Sequence, residues 1–398
     1  MAQTNKNLLI SASSTAFQSG PTIESSLLPS PWKTVKDQYY KSMRRMMLDS
    51  TLDWGTQNHS IILPRSLNCV SNIYLRIQLP ALSDASHTFK RSPGKYVLQS
   101  MIFRSNGQQV YAIPDYSLWV RNFEESLSIE ELSAFSSTFM GDRTNRHEAR
   151  TVFIPLALPQ TRFGRYAHHT DEVKFGVLPM RLGNSVTEIQ LTFNTADHTV
   201  TTSGQAPGSI QNAVSLEFRE IVGRPAFMNS FSDGRASYSV CLPERIPLNA
   251  DFENCGAGVQ KTFKNINPTG NVFAIEFYVL PQGDHTHVSN DALTSLHSLE
   301  VRLDNELVIS LDEAECRITN YSHGYRAQNG TLSVMPRINF NTQGAKSQIS
   351  FRGSCDFRNI ANCDITVSFK DDCKVRLYSL RYSRIVLTAA GEFKKYLD

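Results

Sequence analysis

The sequence contains no uninterrupted apolar run of about 18 residues, the length a membrane-spanning helix requires. Its first residues, MAQTNKNLLISASS, carry one lysine and only a short apolar run, unlike a secretory signal. Ala2 stands where N-myristoylation needs glycine. Closely paired cysteines are missing as well. The seven cysteines, Cys69, Cys241, Cys255, Cys316, Cys355, Cys363 and Cys373, are scattered without a C-x-x-C pair. A disulfide framework or zinc ribbon needs tighter spacing, so free thiols in a reducing compartment are expected. Charge of one sign is scarce: 40 Lys+Arg face 37 Asp+Glu, for a net +3. A general polyanion binder, with its broad basic surface, is therefore excluded. Gly at 21 and Pro at 17 are too few for a collagenous or low-complexity chain. No G-x-S-x-G, H-E-x-x-H, Walker or dinucleotide fingerprint occurs, and no Gly-rich phosphate loop. The carboxylate pairs Glu124-Glu125, Glu130-Glu131 and Asp371-Asp372 read as solvated faces or turns. The expectation is a protein that is not an enzyme and needs no cofactor.

What the chain does have is alternation. Its 398 residues, 40% hydrophobic, suffice for two or three domains or for two large all-β ones. From about residue 60 onward the apolar period is two. Ile73, Leu75, Ile77 and Leu79 fall on one face, with Arg76 and Gln78 on the other. Thr187, Ile189, Leu191 and Phe193 repeat the pattern, as do Val214, Leu216 and Phe218, and again Ile365, Val367 and Phe369. Half-buried strands of a sandwich give this pattern because successive side chains point to opposite faces. Asn106-Gly107 between YVLQSMIF and QVYAI is the strongest hairpin signal, and Asp304-Asn305 marks a second tight turn. Tyr116 to Phe135 is predicted helical, as is the shorter Asp312 to Ile318.

The N-terminal 50 residues differ. Residues 1–31 are Ser/Thr-rich and weakly hydrophobic, as in an extended arm. Trp32, Val35, Tyr39, Met43 and Met46 then recur at helical spacing, with Lys36, Lys41, Arg44 and Arg45 mostly off that stripe. Residues 1–50 hold six basic and three acidic residues, an excess equal to that of the whole chain. Such a helix commonly packs its stripe against protein, here under the first domain or on a neighbouring subunit. The functional alternative is an inward-facing arm on a membrane or packaged genome, using Trp32, Lys36, Tyr39, Lys41, Met43, Arg44 and Arg45.

The two halves share one order of elements. FRSNGQQVYAI (103–113) aligns with VRLDNELVISL (301–311), TEIQLTF (187–193) with CDITVSF (363–369), and VSLEFREIVGR (214–224) with VRLYSLRYSR (375–384). A helical candidate follows the hairpin in each half. Each match is weak alone, but the shared order argues for duplication. The simplest account is an all-β chain of two tandem eight-stranded jelly-roll sandwiches. The expected division is an N-terminal arm with an amphipathic basic helix over 1–50, a first roll over 51–225, a linker over 226–250 and a second roll over 251–398. The linker rests on GRPAFMNSFSDGRASYSVCLPERIP (223–247), with its three prolines and two glycines.

Gly353-Ser354-Cys355-Asp356-Phe357-Arg358-Asn359-Ile360-Ala361-Asn362 resembles the G-S-x-N-F-S-R-I-x-N turn of the double jelly-roll major capsid proteins of DNA viruses. The strand ITVSF follows, and then Val375 to Leu387, which is similar to that family's V-x-V-Y-A-x-N-Y-N-x-L-x-I ending, with Ala390-Gly391 shortly after. Val152-Phe153-Ile154-Pro155-Leu156 and Phe175-Gly176-Val177-Leu178-Pro179-Met180 resemble its Pro-marked strands. Asp356, Arg358 and Asn359 stand where that family usually has Asn, Ser and Arg. The resemblance covers most of residues 50–391. It implies a double jelly roll with short helices in connecting loops, assembling as hexon-like, pseudo-hexagonal homotrimeric capsomers of an icosahedral shell. The implied partners are neighbouring capsomers, penton and minor capsid proteins, and an internal membrane or genome reached by the arm. The implied location is the virion, assembled inside the host cell.

Two other classes compete. A two-domain β-sandwich could read glycans through its loops as a binding or attachment protein. A cupin-like metalloenzyme would use His285 and His287, since His-x-His on a strand puts both imidazoles on one face. Asp291 imitates a further ligand, but no second motif follows, so Asp284 to His287 reads as a polar loop and no metal is expected. His168-His169 would face opposite ways on a strand. The sequons at Asn58, Asn320 and Asn329 read as chance occurrences without a secretory signal.

Overall fold

The computed structural model describes residues 39–48, 51–67, 69–84, 87–124, 129–156, 178–180, 186–201, 207–223, 239–282, 295–322, 335–340, 354–388 and 391–397. Contacts divide the chain into two compact units: Met1–Cys241 with Arg384–Tyr396, and Leu242–Ser383 with Leu397–Asp398.

The first roll is built from β1 (Tyr39–Met47), β2 (His59–Ile62), β3 (Cys69–Leu79), β4 (Leu98–Ser105), β5 (Gln108–Ile113), β6 (Arg150–Leu156), β7 (Leu178–Pro179), β8 (Thr187–Phe193) and β9 (Val214–Gly223). One sheet runs β1-β9-β3-β6, with the two-residue β7 added on β3, and the other runs β2-β8-β4-β5. With β7 set aside, the orders are first-eighth-third-sixth and second-seventh-fourth-fifth. That winding is the jelly roll.

The second roll uses β10 (Ser239–Pro247), β11 (Glu253–Cys255), β12 (Gln260–Phe263), β13 (Asn271–Pro281), β14 (Leu296–Leu303), β15 (Glu306–Leu311), β16 (Arg337–Asn339), β17 (Cys355–Asp356), β18 (Cys363–Phe369), β19 (Cys373–Leu387) and β20 (Phe393–Leu397). Its sheets run β10-β19-β13-β16 and β12-β18-β14-β15, with β11 and β20 on β19 and β17 on β13. Without those three additions the winding is the same as before.

The duplication extends to ladder faults. The β3–β9 register shifts between Val70 and Asn72, and β13–β19 shifts between Val272 and Ala274. The β4–β8 and β14–β18 ladders slip at Leu98/Ser100 and Leu296/Ser298. Hairpins β4–β5 and β14–β15 bulge at Phe103/Arg104 and Val301/Arg302. A bulge re-aims side chains on both flanks, so matched bulges mean matched sheets.

The alternation read from sequence is the burial pattern. Ile73, Leu75, Ile77 and Leu79 are buried while Gln78 is exposed. Strands β8 and β18 carry identical patterns of buried and half-buried positions. Val272, Ile275, Phe277, Val279, Leu299, Val301, Ile365 and Val367 belong to one cluster inside the second roll. Each such side chain removed from water stabilises the fold by about 1.5–3 kcal/mol before entropy is counted. Both predicted turns adopt left-handed backbone at two successive residues, Asn106 (φ 48°) with Gly107 (φ 76°) and Asp304 (φ 50°) with Asn305 (φ 71°). That backbone matches strand twist in a two-residue hairpin.

Four expectations need correction. The Tyr116–Phe135 segment holds two helices, α1 (Tyr116–Glu124) and α2 (Ile129–Thr138). Ser128 and Glu131 have the spacing of a second helix start, which the single apolar count overlooked. The basic helix over 32–49 is, within the described residues, strand β1, paired without interruption from Tyr39↔Gly223 to Met47↔Ser215. Helical spacing is a weak prior, and nine residues laid along the open edge of β9 satisfy a whole ladder. The 226–250 linker contains β10 over Ser239–Pro247. Proline is tolerated there because β10 ends the order of its sheet. The chain end is not simply the tail of the second roll, since Arg384–Tyr396 belong to the first unit. There Phe393 packs on Phe103 with ring centroids 6.0 Å apart, and its N–H donates to Ser105 Oγ at 3.2 Å.

After each hairpin comes a helix. Asp115 Oδ1 accepts from the Leu118 N–H at the start of α1. Helix α3 (Glu313–Ser322) opens with a reciprocal box: Asp312 Oδ1 accepts from the Glu315 N–H, and Glu315 Oε2 accepts from the Asp312 N–H.

Candidate functional site

His285 and His287, the pair that the cupin-like alternative would use, lie outside the described residues, as do Asp291, His168 and His169. Among the described residues no group of three His, Cys, Asp or Glu side chains is placed to hold a metal. No described helix is long and apolar enough to cross a membrane. Of the sequons, Asn320 is fully buried in α3, donating to the Met335 carbonyl at 2.8 Å, and its side chain is not open to modification. Asn58 is exposed, and Asn329 is outside the described residues.

The arm residues separate. Trp32 and Lys36 precede the described chain. Tyr39, Lys41 and Met43 occupy strand positions opposite Gly223, Ile221 and Arg219. Arg44 and Arg45 carry charges that the fold itself uses. Arg45 reaches Glu217 at 2.7 Å, with Arg76 3.6 Å from the same carboxylate, and Arg44 lies 3.5 Å from Glu220 and bonds Ser66. These pairs stitch the first strand of the roll to the eighth. Both arginines are exposed, so each pair contributes at most about 1 kcal/mol.

The second roll has a buried network of its own. Glu276 on β13 accepts from Arg245 of β10 at 2.9 Å and from Arg337 of β16 at 3.0 Å. Glu276 and Arg337 are fully buried. Burial alone would raise the Glu276 pKa, yet the two guanidiniums outweigh it and hold the carboxyl below its usual value. Three strands of one sheet, β10, β13 and β16, are thereby fixed to one carboxylate. A carboxylate inside the otherwise apolar NVFAIEFYVLP was a visible sign of this network, and sequence reasoning passed over it.

The motif that carried the family resemblance is an ordered turn. Asp356 Oδ1 accepts from the Arg358 N–H at 3.1 Å, and the same carboxylate pairs with the Arg358 side chain at 2.8 Å. That hydrogen-bonded pairing holds Asp356 below the usual carboxylate range. Phe357 is buried and meets Phe340 edge-on at 5.6 Å. Asp304 Oδ1, from the β14–β15 turn, accepts from the N–H groups of Ala361 and Asn362. The Asp356 carboxylate thus closes the turn.

The exposed surface differs between rolls. In β15, Leu307 is 51% and Val308 54% exposed, and Ile318 of the adjoining α3 is 65% exposed. At the position in β5 that matches Val308, Val110 is 1% exposed. Leu307 stands where the first roll has Gln109, a difference the aligned hairpins already displayed. Strand β15 is a sheet edge, and apolar side chains on an edge invite a partner.

No protein-family model and no curated protein matches the sequence. Solved structures do match. PBCV-1 VP54, fitted into a reconstruction of the virophage Sputnik, is similar over 90% of this chain and 97% of its own, with TM-score 0.66 at 11% identity. This chain is a double jelly roll. The Faustovirus major capsid protein matches this double jelly roll over 87% of the chain and 90% of its own, with TM-score 0.59 at 8% identity. The mavirus major capsid protein matches over 89% and 90%, with TM-score 0.57 at 10% identity. At such identities the likeness concerns the fold of the double jelly roll.

Proposed function

We propose that this protein is the major capsid protein of an icosahedral DNA virus, acting by shape and lateral burial without chemistry. One observation carries the reading: a chain that repeats one roll twice, down to its register faults, aligns along nearly its full length with major capsid proteins. Three copies of a twofold-repeated chain present six similar walls and so fill a sixfold place, in a closed cyclic assembly. The capsomer meets neighbouring capsomers, penton and minor capsid proteins, and its location is the virion. Leu307, Val308 and Ile318 supply apolar surface suited to a seam between subunits. Contact with an internal membrane or genome falls to residues before Tyr39, including Trp32 and Lys36, since Arg44 and Arg45 are paired within the roll. Light scattering on the purified full chain tests this. A mass of three chains supports it, and a strict monomer at the highest soluble concentration contradicts it.

A further inference from the structure

Cys255 and Cys373 stand directly opposite each other where β11 pairs with β19. Opposed residues of antiparallel strands have Cα atoms about 4.5–5.5 Å apart, inside the span a disulfide bridges. Both side chains are buried in one core cluster, each under 5% exposed. Both are reduced. We infer that this pair is an oxidisable dithiol, a modification site at which a small-molecule disulfide converts the two thiols into a bond closing β11 onto β19.

Cys255 Sγ donates to the Glu253 carbonyl at 3.9 Å. The neighbouring Cys373 holds Cys255 below the usual thiol value and is itself pushed up, with Lys261 adding to the effect on Cys255. Either sulfur can open the exchange once it is uncovered. Other thiols point the opposite way: burial raises Cys316 and Cys355, and takes Cys363 up to about 12. Access comes from the end of the ladder. Strand β11 is three residues long and sits beside exposed Asp371 and Asp372, so a small local opening uncovers both sulfurs.

The chemistry balances. One cysteine of the pair, as its thiolate, attacks one sulfur of a small disulfide of the oxidised-glutathione class, breaking its S–S bond and releasing one thiolate. The other cysteine then loses its proton and attacks the mixed-disulfide sulfur on the first, releasing the second thiolate. The protein gives up two electrons and two protons, and the small disulfide becomes two thiols. The inference does not depend on the shell-building reading.

The test uses the full chain, incubated with oxidised glutathione, then denatured and alkylated. The expected product carries two fewer alkyl groups than the seven cysteines allow, and peptide mapping joins Cys255 to Cys373. Cys255→Ser and Cys373→Ser each abolish that bond, whereas Cys363→Ser keeps it. Full alkylation, a bond to another cysteine, or arrest at a glutathione adduct on one cysteine overturns the inference. The wild-type peptide map decides the matter alone should a serine variant misfold.

Discussion

Glu276 shows how much of the second roll depends on single contacts. Its fully buried carboxylate is shared by Arg245 and Arg337, so Glu276→Gln removes the negative charge that both guanidiniums share. The variant should lose about 3–5 kcal/mol, the range for breaking one partner out of a buried pair, read from chemical or thermal unfolding. The pH dependence has a definite sign. The folded-state pKa lies below the ordinary value of 4.5, so the stabilisation is complete above that value and is lost as pH falls through the folded-state pKa. Wild type should therefore lose stability more steeply on acidification than Glu276→Gln. Parallel slopes for the two proteins would remove this role. The residue was legible as an anomaly, one charge in an eleven-residue apolar strand, but its partners were not. Arg245 and Arg337 are distant in sequence, and only the winding brings them together.

At the scale of elements, tight turns and alternating strands could be read directly because their signals are local. Asn106-Gly107 and Asp304-Asn305 specify left-handed backbone through their own chemistry, and a period of two survives wherever one face meets the core. Gly107→Ala should destabilise the first hairpin by about 1–2 kcal/mol, since the new Cβ meets no neighbour and only the backbone conformation opposes it. Asn305→Gly should stabilise the second by a few tenths of a kcal/mol or more. Melting midpoints of the two variants moving in the same direction would contradict this. The first strands of both rolls were missed for one reason. Strands β1 and β10 end their sheets, so their sequences are set by ion pairs to other strands of the sheet rather than by burial on a core face. A chain beginning at Tyr39 should keep the first roll folded, whereas one beginning at Leu48 leaves the β9 edge bare and should aggregate or unfold. Circular dichroism and sedimentation of the two truncations decide, and equal behaviour would make β1 dispensable.

For the whole molecule, the legible part was the repeat and its family likeness; the illegible part was where each repeat starts and ends. Matched hairpins, seventh strands and eighth strands gave the order of the rolls. The return of Arg384–Tyr396 to the first unit had no signature, because a short strand such as FKKYL resembles any other. Duplication is also what gives the proposed function its geometry, since a single roll repeated twice lets a threefold object imitate a sixfold one. Electron microscopy of the purified protein in negative stain is the most direct test. The account predicts particles with a threefold axis and a six-cornered outline; particles lacking threefold symmetry, or isolated single chains, would contradict it.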